Sequence, residues 1–361
     1  MNKISTKHFI LFILGTAIIS CKTYLSIFVD VGGRATWLAS IISSLIFTGL
    51  LLFIMNICKK TNNFNIVDIY KESTPKFVSS IFLIIFVLAL FLNSIEAAAV
   101  EANVLHSTLF IDTPIWYALI FFIVPSLFIF SKKLRTLLIF VIISVFVLIV
   151  NGVLFFLLTQ SYKDINNLLP ILGDKSLSSF IYSAVMILGS LSSFMIAMPF
   201  LKYIDKTEHL RIHSLYSGVI SSAFIILSFI GVITAFGPLR AANIFYPEFV
   251  LSQRIEVAGF LEFGELFFII QTVVGLFVKY VLATYSILLI CDKLIKNKAI
   301  FIGIYTFLVF VLSYFLGLNN YILYEMLKYI QGINVVAFVI IPLITFVLYY
   351  FKFTPKKVSK M

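Results

Sequence analysis

Apolar residues in this chain come in long runs rather than in alternation. Windows of about 19 residues pick out ten such runs, near residues 8 to 30, 36 to 57, 77 to 105, 115 to 131, 136 to 158, 179 to 200, 214 to 236, 261 to 290, 299 to 317 and 331 to 351. They are about as long as a helix must be to cross a hydrocarbon layer, roughly 20 residues. None shows the two-residue alternation of a barrel strand, and in hydrocarbon only helices and closed barrels can satisfy their own amides. The pattern therefore predicts an all-α polytopic membrane protein with ten transmembrane helices.

The polar stretch 159–178 divides the runs into two sets of five. This predicts a first five-helix repeat over 1–158, an extracytoplasmic connector over 159–178, a second repeat over 179–351 and a basic tail over 352–361. Because five is odd, a second half that repeats the first must sit upside down, the inverted plan of many secondary transporters. The stretch from Gly237 to Gly259 carries Pro238, Pro247, Arg240, Glu248, Arg254 and Glu256 among apolar residues, and reads as a partly helical external cap or gate.

Composition supports lipid as the main solvent, with 61% hydrophobic and 12% charged residues and a mean hydropathy of +1.10. A net charge of +11 would ordinarily raise the question of nucleic acid, but the basic residues sit in short clusters between apolar runs and form no basic domain. Nineteen Lys and Arg fall in one alternating set of loops, which includes both termini, and six in the other. Basic loops stay cytoplasmic, so both termini are expected in the cytoplasm. Lys3, Lys7 and the sequence Ile18-Ile19-Ser20-Cys21 resemble a lipoprotein signal, yet the apolar run continues past Cys21 through Val29, so the first helix is expected to be retained. Cys21, Cys58 and Cys291 have neither disulfide nor zinc spacing. The four histidines have no metal-ligand pattern around them. No phosphate-cradling loop, nucleophile elbow or zinc-protease helix occurs, so neither an enzyme nor a cofactor is expected.

Two basic residues fall inside predicted spans, Lys22 in the first and Lys279 in the eighth. A charge at that depth costs roughly 2.5–3.5 kcal/mol on insertion scales. The third span offers Asn93, Glu96, Glu101 and Asn103. Glu96 and Asn103 share a face, whereas Glu101 points about 140° away from Glu96 at 100° per residue. One reading makes Glu96 and Lys279, with Lys22 and Glu101 as further charge partners, an internal polar site for a zwitterion or a proton. The plainer reading is snorkelling and structural ion pairs. Small residues give a second signal: Gly15-Thr16-Ala17 in span one and Gly189-Ser190-Leu191-Ser192-Ser193 in span six, the first helix of each half. Interrupted helices there would offer amides and carbonyls to a ligand, with Gly15, Thr16, Gly189, Ser190 and Ser193 as binding residues. Close helix packing is the alternative.

Trp37-Leu38-Ala39-Ser40 at the start of span two, Asn166-Asn167-Leu168-Leu169-Pro170-Ile171-Leu172 before span six, and the region from Phe245 to Tyr285, with Phe260-Leu261-Glu262 and Gly275-Leu276-Phe277-Val278-Lys279-Tyr280, carry a family resemblance. In their order on a ten-span map they resemble the spore germination permeases, the B subunits of GerA-type nutrient germinant receptors, within the amino acid–polyamine–organocation transporter superfamily. The resemblance runs from about Ser5 to Phe351. It departs at Lys22-Thr23-Tyr24, where a proline commonly follows the break in span one, and at Gly264, which interrupts the start of span eight. It implies a LeuT/APC-like fold, a small amino acid-like nutrient as ligand, A and C subunits as partners and the spore inner membrane as location. A proton-coupled amino acid or polyamine transporter and a membrane scaffold with a degenerate pocket are the competing expectations.

Overall fold

The computed structural model describes residues 3–170, 175–257 and 261–353. Ile171 and Leu172 of the connector motif, Phe260, and the basic tail beyond Phe353 lie outside the described residues. The first predicted run is not one helix. α1 (Thr6–Ala17) starts at Ser5, whose hydroxyl accepts from the His8 amide. It stops at Ala17, and after a stretch of turns with one 3-10 turn at Lys22–Tyr24 the span resumes as α2 (Ser26–Gly32).

The first half continues with α3 (Thr36–Thr61), the short amphipathic α4 (Ile66–Ser73), α5 (Lys76–Thr108), α6 (Ile115–Phe130) and α7 (Leu134–Leu158). The second half opens with α8 (Leu177–Leu191), capped by the Ser176 hydroxyl, which tightens at Ser192 into a 3-10 helix ending at Tyr203. Pro199, without an amide, sits in that tightened half. Then come α9 (Leu210–Asn243), α10 (Pro247–Ser252), a two-residue antiparallel ribbon pairing Glu256–Val257 with Leu261–Glu262, α11 (Glu265–Ile290) and α12 (Lys298–Gly317). Span ten is α13 (Asn320–Asn334), a wide π turn at Val335–Ile340, and α14 (Ile341–Phe353).

Ten crossings result among the described residues. Eight of the described helical stretches are long and apolar enough to cross a membrane by themselves, one of them running from α2 through α3; α6 is a shorter apolar helix and α1 is the first half of span one. Two helices outrun their hydropathy. Span ten begins at Asn320, not near 331, because Asn319 caps it while Asn320, Glu325 and Lys328 lower the local average. α9 runs on to Asn243 through a bend where Gly237 adopts φ +71° ahead of Pro238, a backbone state that a side chain disfavours.

Helices five spans apart pack on one another: α1 against the 3-10 half of span six, α3 against α9, α5 against α11, and α6 against α12. Mutual packing of counterparts is what a pseudo-twofold between two inverted five-helix units produces. Polar side chains pin other contacts between the helices, where few other polar partners exist in hydrocarbon. The Asn93 amide donates to Asn334 Oδ1 (2.8 Å), the Asn151 amide to the Phe267 carbonyl (2.7 Å), and the Asn103 amide to the Gly317 carbonyl (2.8 Å).

Candidate functional site

The break in span one leaves carbonyls that no helix serves. The Ser20 amide turns back to the Ala17 carbonyl (3.3 Å), so the Thr16 carbonyl loses its usual i+4 donor. Span six supplies the replacement: the Ser193 hydroxyl donates to the Thr16 carbonyl (3.1 Å) and the Ser190 hydroxyl to the Ser20 carbonyl (2.5 Å). The serines of one interrupted span thus cap the other. Ser190 still lies in regular helix; the tightening begins two residues later.

Beside this break sits the ion pair. Lys279 Nζ on α11 donates to Glu96 Oε1 on α5 at 2.9 Å, with side chains 1% and 0% exposed. At that burial both partners have given up hydration, and removing one alone costs about 3–5 kcal/mol because the other stays charged and unpaired. Tyr24, in the break itself, places its hydroxyl 2.5 Å from Glu96 Oε1 and 2.5 Å from the Ser20 carbonyl, one proton between two acceptors. The Gln331 amide on α13 donates to the Tyr24 oxygen (3.3 Å). Five elements therefore meet at one cluster: the break, α5, α8, α11 and α13. Glu96 Oε2 and Gln331 Oε1 are buried there without a hydrogen-bond partner among the described residues.

Of the residues singled out in the sequence, Glu96, Lys279, Ser190, Ser193 and Thr16 come together at or around the break. Gly15 and Gly189 do so only as packing surfaces. A Cβ on Gly15 would lie 2.7 Å from Val278 Cγ1, and one on Gly189 only 2.2 Å from the Gln331 carbonyl oxygen, so these glycines let α11 and α13 approach. Lys22 and Glu101 do not join the cluster. Lys22 leaves the break on another side, its ammonium 5.7 and 5.9 Å from the Phe224 and Phe155 rings. Glu101 is buried, its Oε2 unpartnered, with no basic partner among the described residues. Ser20, Tyr24 and Gln331 are participants that sequence reasoning missed. A tyrosine in an apolar run carries no warning, whereas Gln331, an amide at the edge of a predicted span, was a signal left unused.

Ten apolar crossings, a first span broken near its middle, and a buried ion pair against that break define a transporter-like polytopic membrane protein. The same fold is found in the crystal structure of MhsT in complex with L-phenylalanine, which aligns with a TM-score of 0.64 at 14% identity over 97% of this chain and 89% of that one. At that identity the likeness shows the fold, a LeuT/APC-like arrangement of inverted five-helix units. The family model described as "Spore germination protein" (Spore_permease) matches residues 3–322, and the chain belongs to that family of spore germination permeases. No curated protein matches the chain.

Proposed function

We propose that this chain is the membrane-embedded B subunit of a spore nutrient germinant receptor, acting with A and C subunits in the spore inner membrane, and that it binds a small amino acid-like nutrient at the break in span one. The observation that carries the reading is Glu96 Oε2, a buried acceptor without a donor, next to an ammonium–carboxylate pair. A zwitterion suits such a place. Its ammonium can take Glu96 and its carboxylate can take Lys279, so the internal pair opens while each buried charge keeps a partner. Membership of the spore germination family and the amino acid named with MhsT agree with a ligand of this class.

Occupancy would act through a conformational equilibrium, since a ligand shifts two states only by its differential affinity for them. Exchange of the Lys279 ammonium at Glu96 for the ligand ammonium, with Lys279 turning to the ligand carboxylate, parts α11 and α5 from their present contact, and Tyr24 transmits the change to the broken span. Net transport is not required.

The test is the neutral double variant Glu96→Gln with Lys279→Met, which removes both charges and leaves neither one stranded. In spores carrying it, with protein level checked by immunoblot, nutrient-triggered germination should be lost while the protein accumulates normally. An unchanged nutrient response would sink the central site. Uptake of amino acids by the purified wild-type chain in liposomes would instead make it a transporter.

A further inference from the structure

The other side of the break opens on a separate cavity of about 290 Å³ between α7 and α9, to whose lining α10 contributes Glu248 and Leu251. It is lined by Lys22, Lys163 and Glu248, by Thr159 and Ser228, and by an apolar wall that includes Val153, Val219 and Ala223. Lys22 is 4% exposed and makes no hydrogen bond and no ion pair among the described residues, so a buried ammonium faces this space without an anion of its own. Glu248 is also buried. Burial holds its carboxyl above the usual carboxylate range, against the opposing pull of Lys22 and Lys163. Two basic side chains thus line the space with a single acidic one, an excess of one basic group.

The lining is polar at one end and apolar at the other. Polar groups gather where the connector meets α9: the Asp164 amide donates to the Thr234 carbonyl (3.0 Å), and Lys163 lies beside Gly231. Val219 lies nine residues back from Ser228, roughly 13 Å along α9 at the helical rise of about 1.5 Å per residue. Val153, Val219 and Leu227 line the cavity and are also exposed on the apolar outer face of the bundle. The opening is therefore lateral, into the region that hydrocarbon occupies.

We infer that this cavity is a lateral binding site for a singly anionic amphiphile, whose head group lies among Lys22, Lys163 and Ser228 and whose alkyl chain leaves between α7 and α9 toward the bilayer. A free zwitterion would leave the excess basic group uncompensated and the apolar wall unused. Lys22 and Tyr24 are two residues apart on the same unwound segment, so the lateral site and the central cluster share one movable element.

The experiment uses the purified full chain in detergent, with palmitate, phosphatidylglycerol and phosphatidylcholine as probes and native mass spectrometry as the readout. Palmitate, phosphatidylglycerol or both should be retained about tenfold better than phosphatidylcholine, the worth of one charge-assisted hydrogen bond. Retention of palmitate alone identifies a free carboxylate as the source, and retention of phosphatidylglycerol a bilayer phosphodiester. Lys22→Gln, which removes an unpaired buried charge, should weaken retention to a similar degree, and Ala223→Phe should block it with every charge kept. Equal retention of all three probes, unchanged retention in both variants, or displacement of the amphiphile by a free amino acid would overturn the assignment. Loss of nutrient response at Glu96 and Lys279 stands or falls separately.

Discussion

Glu96 and Glu101 lie five residues apart on α5, both buried, yet they differ in the one respect that governs a buried charge. Glu96 has Lys279 at 2.9 Å, and Glu101 has no basic partner among the described residues. Glu96→Gln should therefore lower stability by about 3–5 kcal/mol by stranding Lys279. Glu101→Gln removes an uncompensated carboxyl and should leave the melting temperature unchanged or raise it. Adding Lys279→Met to Glu96→Gln should recover most of the loss, a non-additivity expected of directly paired residues. Thermal unfolding of these three variants and of Lys279→Met alone in detergent checks all of this, and equal losses at Glu96 and Glu101 would contradict the pairing. In the sequence both glutamates carried the same warning, because a charge inside a span is costly wherever it points. Their difference is a matter of which neighbour each one meets.

Between elements, the small residues of span six divide into two kinds of work. Gly189 is a clearance: even a methyl group would meet the Gln331 carbonyl at 2.2 Å, and backbone atoms cannot swing aside. Ser190 and Ser193 are donors to carbonyls that the break in span one leaves open. Gly189→Ala should cost about 1–3 kcal/mol as overpacking of α8 against α13. Ser193→Ala should cost a similar 1–3 kcal/mol by leaving the Thr16 carbonyl unserved in a buried place. Ser190→Ala should cost less, because the Tyr24 hydroxyl also reaches the Ser20 carbonyl. Melting curves rank the three, and Ser190→Ala as the most damaging would overturn the scheme. A bulky residue at Gly189 would displace α13 with or without a ligand, so it cannot report on binding. The glycine and serine run announced a special position in the sequence, but packing and capping look alike there.

At the scale of the whole molecule, the alternation of basic loops sets an orientation on a fold whose two halves are inverted copies. The lysine- and arginine-rich loops are expected on the cytoplasmic side. A cysteine placed at Thr207, between spans six and seven, should resist a membrane-impermeant thiol reagent in intact cells and react after permeabilisation. One placed at Ser161, in the connector, should react in both. The reverse pattern would invert the topology and with it the side from which a nutrient arrives.

Hydropathy is a sum over neighbours in sequence, so the ten crossings, the inverted halves and the anomaly of Lys22, Glu96, Glu101 and Lys279 were fixed before any folding. Where a helix carried polar residues at one end, as span ten does from Asn320 to Lys328, the same sum placed its start too late. What the tertiary structure alone decided is partnership. Lys279 rather than Lys22 reaches Glu96 across 183 positions of sequence, Tyr24 and Gln331 join them, and Lys22 turns instead toward Phe224 and the cavity that Glu248 shares. These choices follow from how each helix is rotated and from the path of the unwound segment after Ala17. Both are set by side-chain packing between distant parts of the chain, which no local sum contains.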